Sequence, residues 1–168
     1  RTPLGQRIRG AFVAAPGKVL VRADASQIEP RIFAHYTQEP AMLQAYRRGQ
    51  DVYESVVAPA LGVDRSSAKI ALLAMMYLVQ EHKLAASIGV SPGDAGAFLQ
   101  KFRRELPALS QWPKTIMELL VHQGYVTTLL GWRNYYPAYF SPIWRESQAA
   151  LREAGNLPIQ GTAAGLFK

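Results

Sequence analysis

The sequence contains no cysteine, which excludes disulfide bridges and zinc sites built from thiolates. It also has no uncharged apolar run of about 18 residues, the length that a membrane-spanning helix needs, so no membrane partner is expected. The N-terminal residues lack the apolar centre and the cleavage site of a signal peptide, and there is no initiator methionine. These absences predict a cytoplasmic chain that begins inside a larger protein.

Acidic residues are scarcer than basic ones, with 12 Asp and Glu against 19 Lys and Arg, and the net charge is +7. A basic surface attracts polyanions, and nucleic acid is the first candidate. The 168 residues, 49% of them hydrophobic, are sufficient for one domain with a true core. Composition therefore predicts a folded domain with an anionic partner but does not indicate a reaction.

The segment that leads to Asp24 carries the first sign of chemistry. Val19 and Val21 alternate with other residues and favour a strand. Ser26 as N-cap, with Glu29 three positions later, favours a helix after it. Asp24 would then lie in a strand-to-helix turn, where a carboxylate can hold a hard cation such as magnesium. The alternative is that Asp24 is only a turn residue, since aspartate is common in turns.

Alternating runs bounded by Gly and Pro predict a small antiparallel sheet from residues 7 to 24 and 125 to 136, with a hairpin turn at Pro16-Gly17. Helical patterns are predicted at 26–36, at 39–47, from Asp51 as an N-cap, at 64–82 with Asp64 as its N-cap, and in pieces over 84–122 that break at Pro92 and Pro107. The predicted fold class is α+β, rich in helices.

The predicted 64–82 helix presents Arg65, Lys69, Leu73 and Tyr77 at successive steps of four residues. This spacing places the four side chains on one broad face. Two cations and an aromatic ring on one face can bind phosphates and stack on a base. The alternative is an ordinary amphipathic helix, with a solvated charged start and Tyr77 in the core.

Three segments resemble motifs of the family A DNA polymerases, the bacterial polymerase I type. The first is Asp24-Ala25-Ser26-Gln27-Ile28-Glu29-Pro30-Arg31 with Ala34-His35 after it, which resembles the first catalytic motif. The second is Arg65 to Tyr77, which is similar to the fingers-helix motif, and the third is Arg152-x-x-x-Asn156-x-Pro158-x-Gln160-Gly161-Thr162-Ala163-Ala164. The departures from the family pattern are Ala25, Pro30, Leu73, Ala74, Leu78 and Gly165. The resemblance covers nearly the whole chain.

The resemblance implies a role for each residue of the first motif. Asp24 would bind the two catalytic magnesium ions, together with the backbone carbonyl of Ala25. Glu29 would occupy the space next to the sugar 2′ position and exclude ribonucleotides. The cofactor implied by the family is therefore Mg²⁺, with deoxynucleoside triphosphates as substrates.

The resemblance also implies roles on the fingers helix. Arg65 and Lys69 would hold the triphosphate, and Tyr77 would lie near the templating base. Leu73 stands where the family has an aromatic residue that packs against the nucleotide sugar. These four residues would form the nucleotide-binding face.

A primer–template DNA partner is implied by the C-terminal motif. Arg152, Asn156 and Gln160 would face the minor groove, where donors read the acceptors shared by all correct base pairs. Arg133, in a Gly-Trp-Arg segment similar to the family's Gly-Arg-Arg, is a further candidate for DNA binding. The alternative is that Asn156 and Gln160 are plain polar residues near a helix end.

The resemblance divides the chain into a palm part at 1–36, fingers helices at 37–122 and a return to the palm at 123–168. The thumb would precede the chain, and the third motif, His-Asp-Glu, would follow it. We therefore expect a DNA-directed DNA polymerase segment that is inactive alone and that works with the remainder of its chain near the nucleoid. The alternative is a non-catalytic nucleic-acid-binding module on a decayed polymerase scaffold.

Overall fold

The computed structural model describes residues 2–79, 83–84 and 92–168, without the side chains of 92–95, and most of these residues are helical. The α-helices are α1 (Pro3–Gly10), α2 (Ile28–Thr37), α3 (Pro40–Arg47), α4 (Ala58–Leu61), α5 (Arg65–Met76), α6 (Pro92–Glu105), α7 (Pro107–Ser110), α8 (Trp112–Gln123) and α9 (Trp144–Leu166). A π-helical segment (Tyr53–Val57) precedes α4, and a 3-10 turn (Pro137–Phe140) precedes α9. The strands are β1 (Tyr125–Thr127) and β2 (Arg133–Tyr135). The α+β prediction is confirmed.

Two aspartates fix the helix starts that frame the later site. Asp64 Oδ1 accepts hydrogen bonds from the backbone N–H groups of Ser66 (2.7 Å) and Ser67 (2.9 Å) and caps α5. Asp51 Oδ1 accepts from the N–H groups of Tyr53 (2.9 Å) and Glu54 (3.2 Å). Both predicted N-caps are therefore confirmed.

Helix α2 lies at the centre of the packing and contacts α3, α5, α7 and α9. Its Phe33 is fully buried and meets the ring of Trp112 edge-on, with ring centroids 5.7 Å apart. Aromatic pairs in this geometry stabilise a core beyond the area that they bury. The second half of the first motif, from Ile28 onward, thus lies on a helix that packs in the core.

The small sheet is confirmed at 125–135, where β1 and β2 pair antiparallel with Val126 opposite Asn134. It packs on α9. Thr162 of α9 is buried, and its Oγ1 accepts a hydrogen bond from the N–H of Leu129 (3.0 Å). The Tyr36 hydroxyl donates to the carbonyl of Thr127 (3.2 Å). These bonds fix the hairpin to both α2 and α9.

The predicted hairpin at residues 7 to 24 is wrong. Thr2 accepts a hydrogen bond from the N–H of Gly5, and Pro3 occupies the first helical turn, so residues 3–10 form α1. Residues 18–24 form no strand, and Val19 and Val21 are 82% and 87% exposed. Alternation makes a segment suitable for a sheet, but a strand also needs a partner, and none of the described residues provides one.

The start of α2 also differs from the prediction. Gln27, with φ +56°, is the N-cap of α2 in place of Ser26, and the Gln27 side chain makes no capping hydrogen bond. Glu29 does not turn back to close a capping box, because its carboxylate accepts a hydrogen bond from Tyr77. The long-range hydrogen bond from Tyr77 has therefore replaced the local bond of the predicted capping box.

The predicted 64–82 helix ends early, at Met76. The N–H of Val79 donates to the Ala74 carbonyl (2.9 Å), and the N–H of Leu78 donates to the Met75 carbonyl (3.3 Å). This bonding pattern is a Schellman turn, with Leu78 at φ +52°. Residues 80–82 of the predicted helix lie outside the described residues.

The predicted breaks in 84–122 are present, since α6 begins at Pro92 and α7 begins at Pro107. Residues 85–91 of that range are outside the described residues. None of the helices in the described part of the chain is long and apolar enough to cross a membrane.

Candidate functional site

One open cleft of about 500 Å³ collects residues from the first and second motifs. It lies between the segment before α2, the π-helical segment and the first three turns of α5. The charged and aliphatic residues that line it include Asp24, Glu29, Asp51, Arg65, Lys69 and Leu73. The structure therefore brings together five of the seven site residues that the first two motifs predict.

Asp24 lies at the rim of this cleft, in the turn that leads into α2, and it is exposed. Ala25 beside it is half-buried. A carboxylate and a backbone carbonyl are hard oxygen donors of the kind that magnesium prefers. Among the described residues, no three His, Cys, Asp or Glu side chains form a cluster that could hold a metal ion. The chain therefore offers part of a magnesium site.

Arg65 is held by a carboxylate that the sequence indicated only as a helix cap. Its Nη2 lies 2.6 Å from Asp51 Oδ2, and its Nε lies 3.2 Å from the same atom. The guanidinium also lies over the ring of Tyr53, 5.6 Å from the centroid. Asp51 thus uses one oxygen for the backbone and the other for Arg65.

The pKa of the Asp51 carboxyl lies below its ordinary value. Burial would raise this pKa, but the hydrogen bond from Arg65 and those from the N–H groups of Glu54 and Tyr53 outweigh burial. The same ion pair raises the pKa of Arg65. At neutral pH both partners are charged, and the pair is intact.

Lys69 lies one helical turn after Arg65 and is exposed. It makes no ion pair with any residue that the structure describes. Leu73 follows on the same face and is half-buried at the cleft wall. The cleft therefore contains one paired cation and one unpaired cation next to an aliphatic surface.

Tyr77 does not line the cleft, but it makes a long-range contact with Glu29, which does. Its hydroxyl donates a hydrogen bond to the carboxylate of Glu29, a residue 48 positions earlier. Burial, followed by the bond to Glu29, raises the pKa of Tyr77 to about 12. The hydroxyl therefore stays protonated and remains a donor at neutral pH. No local sequence signal indicates this bond.

Three of the predicted DNA-binding residues follow one another along α9. Arg152 and Asn156 are half-buried, and Gln160 is exposed. The Asn156 Oδ1 atom is buried and has no hydrogen-bond partner among the described residues. Arg133 lies apart from them on β2, with its guanidinium 4.2 Å from the centroid of the Tyr125 ring. Arg133 does not line the cleft.

The glycine at 165, a departure from the family pattern, has a packing role. A Cβ atom at this position would collide with the Leu130 side chain of the hairpin. Gly161, one turn earlier, is similarly close to Thr128, whose Cγ2 would lie 2.7 Å from an added Cβ. The hairpin rests on α9 where these two glycines leave space.

The cleft therefore has the chemistry of a site for a phosphorylated ligand that binds with a hard cation. Its cations, Arg65 and Lys69, come from one face of α5. Its carboxylates come from the opposite side, near the starts of α2 and of the π-helical segment.

Comparison with known proteins gives the family. The sequence model of DNA polymerase family A matches residues 1–168. The thermostable DNA polymerase I of Thermus filiformis is 38% identical over 176 aligned residues, which cover 100% of this chain and 21% of the relative. For the DNA polymerase I of Pseudomonas aeruginosa, the identity is 37% and the coverage is 100% and 19%. The chain belongs to DNA polymerase family A.

A solved structure agrees with this assignment. The POL domain of Pol1 from M. smegmatis, in complex with DNA primer-template and dNTP, is similar with a TM-score of 0.85 and 30% identity. The match covers 98% of this chain and 30% of that chain. The chain spans about a fifth of the length of the curated relatives described above.

Proposed function

We propose that the chain is the palm-and-fingers part of a DNA-directed DNA polymerase, which adds deoxynucleotides to a primer 3′-hydroxyl. The observation that carries the proposal is a shared cleft, which brings Asp24 and Glu29 of the first motif to Arg65 and Lys69 of the second. In this proposal residues 1–36 belong to the palm, 37–122 form the fingers, and 123–168 return to the palm.

The triphosphate would bind to the α5 face. Lys69 is exposed and unpaired among the described residues, so its ammonium can donate to phosphate without first breaking an ion pair. The Arg65 side chain is 53% exposed, and its guanidinium can exchange Asp51 for a phosphate oxygen. Charge-assisted bonds of this kind are stronger than neutral ones.

Asp24 and the Ala25 carbonyl would hold magnesium at the cleft rim. When bound, this metal activates the primer hydroxyl and neutralises charge on the transferring phosphate. Two close dications need several anionic ligands. Asp24 alone provides one carboxylate, so we expect the third motif of a longer polymerase chain to supply more. For this reason we propose that the 168-residue segment is inactive alone.

Sugar selection would depend on Glu29. Its carboxylate accepts the Tyr77 hydrogen bond and lines the cleft, so its position is restrained. A restrained side chain next to the 2′ position excludes an added hydroxyl by steric contact. Leu73 would provide an aliphatic surface for the sugar in this cleft.

Primer–template DNA would lie along α9. The M. smegmatis Pol1 domain, which this chain resembles, was solved with DNA primer-template and dNTP. Arg152, Asn156 and Gln160 are placed along one helix, and Gln160 is exposed, so its side-chain amide can donate to a minor-groove acceptor. Arg133 on the hairpin adds a cation that can contact phosphate.

The second candidate is a non-catalytic nucleic-acid-binding module, and a specific observation favours it. Arg65 is paired with Asp51, and the described residues contain no three-ligand metal cluster. A chain of this kind would bind DNA without extending it. The two candidates differ in whether the full-length protein that carries these residues makes DNA.

Primer extension with that full-length protein decides between them. We expect template-dependent extension in magnesium, which Asp24→Asn abolishes and Asp64→Asn leaves intact. Asp64→Asn is the matched control because it also removes one exposed carboxylate, while the amide oxygen still caps α5. Binding without extension by the unmodified protein would support the non-catalytic module instead.

A further inference from the structure

Leu78 occupies an unusual position at the end of α5. Its backbone has φ +52°, inside the Schellman turn that Leu78 and Val79 close through their N–H groups. Glycine is the usual residue there, because a side chain is disfavoured at positive φ. Leu78 therefore carries a large side chain at a positive φ that glycine adopts without steric cost.

The Leu78 side chain fills a space that Gly155 leaves open on α9. A Cβ at 155 would lie 2.8 Å from Leu78 Cδ1 and 3.1 Å from its Cγ, distances that real Cβ atoms rarely or never show. Leu78 is half-buried and packs against the main core cluster. The Leu78 side chain on the turn therefore occupies the space that the missing side chain of Gly155 leaves on α9.

Tyr77, the residue before Leu78, connects the end of α5 to α2. Its hydroxyl donates a hydrogen bond to the carboxylate of Glu29. The end of α5 is thus attached to α9 by the packing of Leu78 and to α2 by the hydrogen bond of Tyr77. The packing of Leu78 fixes the backbone that carries the Tyr77 ring, whereas a hydrogen bond alone leaves this ring free to rotate.

We propose that Leu78 is a positioning residue for sugar selection. Packed on Gly155, it holds Tyr77 where the Tyr77 hydroxyl restrains Glu29. The inference rests on the proposed function of Glu29 and adds a residue that does not line the cleft. Without the Leu78–Gly155 contact, Tyr77 leaves Glu29 more often, and ribonucleotides are excluded less strictly.

Two substitutions test the contact from opposite sides in the full-length polymerase. Leu78→Gly removes the packed side chain, and Gly155→Ala adds a methyl group in the space that this side chain occupies. Gln38→Gly is the matched control, because Gln38 also has positive φ (+54°) at an exposed helix end, so it relieves the same backbone strain elsewhere. The readout is the ratio of kcat/KM for deoxyribonucleotides to that for ribonucleotides, with melting temperatures as a check on folding.

We expect both substitutions to lower this ratio by roughly three- to tenfold, the effect of losing one hydrogen bond, while Gln38→Gly leaves it unchanged. In the double variant, Gly155→Ala should add little, since the added methyl group meets no leucine. An unchanged ratio in both single variants, with Glu29→Ala still admitting ribonucleotides, would overturn the role of Leu78 and leave the proposed function intact. If Glu29→Ala also left the ratio unchanged, the proposed role of Glu29 in sugar selection would be wrong, and the inference about Leu78 would fail with it.

Discussion

Neutralising Asp51 should strengthen nucleotide binding, because in the proposed function this carboxylate would compete with the triphosphate for Arg65. The pair is short, 2.6 Å from Arg65 Nη2 to Asp51 Oδ2, but the two side chains are 53% and 27% exposed. Exposed ion pairs contribute little, so we expect Asp51→Asn to lower the KM for nucleotide by about two- to fivefold. Asparagine keeps the oxygen that caps the π-helical segment, so the fold should be retained.

The assay is steady-state single-nucleotide incorporation at fixed primer–template concentration. Glu54→Gln is the control, since Glu54 is a nearby exposed acid that makes no ion pair with Arg65. If KM falls equally in both variants, general charge rather than the pair controls binding. A KM that rises in Asp51→Asn would show that Asp51 assists the nucleotide, and the reasoning would be refuted.

The pH dependence of this pair follows from the direction of the Asp51 shift. A lowered pKa in the folded state gives stability that is present above the unfolded value of about 3.9 and is lost as pH falls through the lowered pKa. The KM advantage of Asp51→Asn should therefore persist unchanged from pH 8 to about pH 5. If the KM difference between Asp51→Asn and the unmodified protein disappears within this pH range, a group other than Asp51 controls the availability of Arg65.

Further predictions concern the remaining parts of the site. Lys69→Ala should weaken nucleotide binding by roughly 1.5–3 kcal/mol, and a KM equal to that of the unmodified protein would remove Lys69 from the phosphate site. Gly161→Ala should destabilise the fold by about 1–3 kcal/mol in urea unfolding, because buried Thr128 cannot yield. Gly165→Ala should cost less, because Leu130 is 59% exposed and free to move; equal costs would contradict this packing argument. The isolated 168-residue chain should bind DNA weakly, with an affinity that falls steeply with salt and no preference for sequence, as titrations at several salt concentrations would show.

The sequence predicted well what depends on neighbouring residues. Asp64 and Asp51 cap their helices because the groups involved are only two or three residues apart. The hairpin at 125–135 was predictable because both strands and their turn are contiguous. The shared face of Arg65, Lys69 and Leu73 followed from helix geometry alone.

The sequence failed where a distant partner decides the outcome. Val19 and Val21 alternate like a strand, but alternation does not supply a neighbouring strand. Glu29 has the spacing of a capping box, yet its carboxylate bonds to Tyr77, a residue 48 positions away. The end of α5 at Met76 could not be predicted from the sequence, because leucine occupies position 78 of the turn, where glycine is the usual signal of a helix end.

The burial of Trp112 gives this chain an internal optical probe. Trp112 is 3% exposed, whereas Trp132 and Trp144 are 62% and 64% exposed, so a soluble quencher removes the emission of the latter two and leaves the first. The Trp112 indole nitrogen lies 3.7 Å from the position of a Cβ at residue 155, beside the Leu78 side chain. A movement of α5 relative to α9 would change the surroundings of this one fluorophore, so its emission reports whether nucleotide moves α5, without an added label.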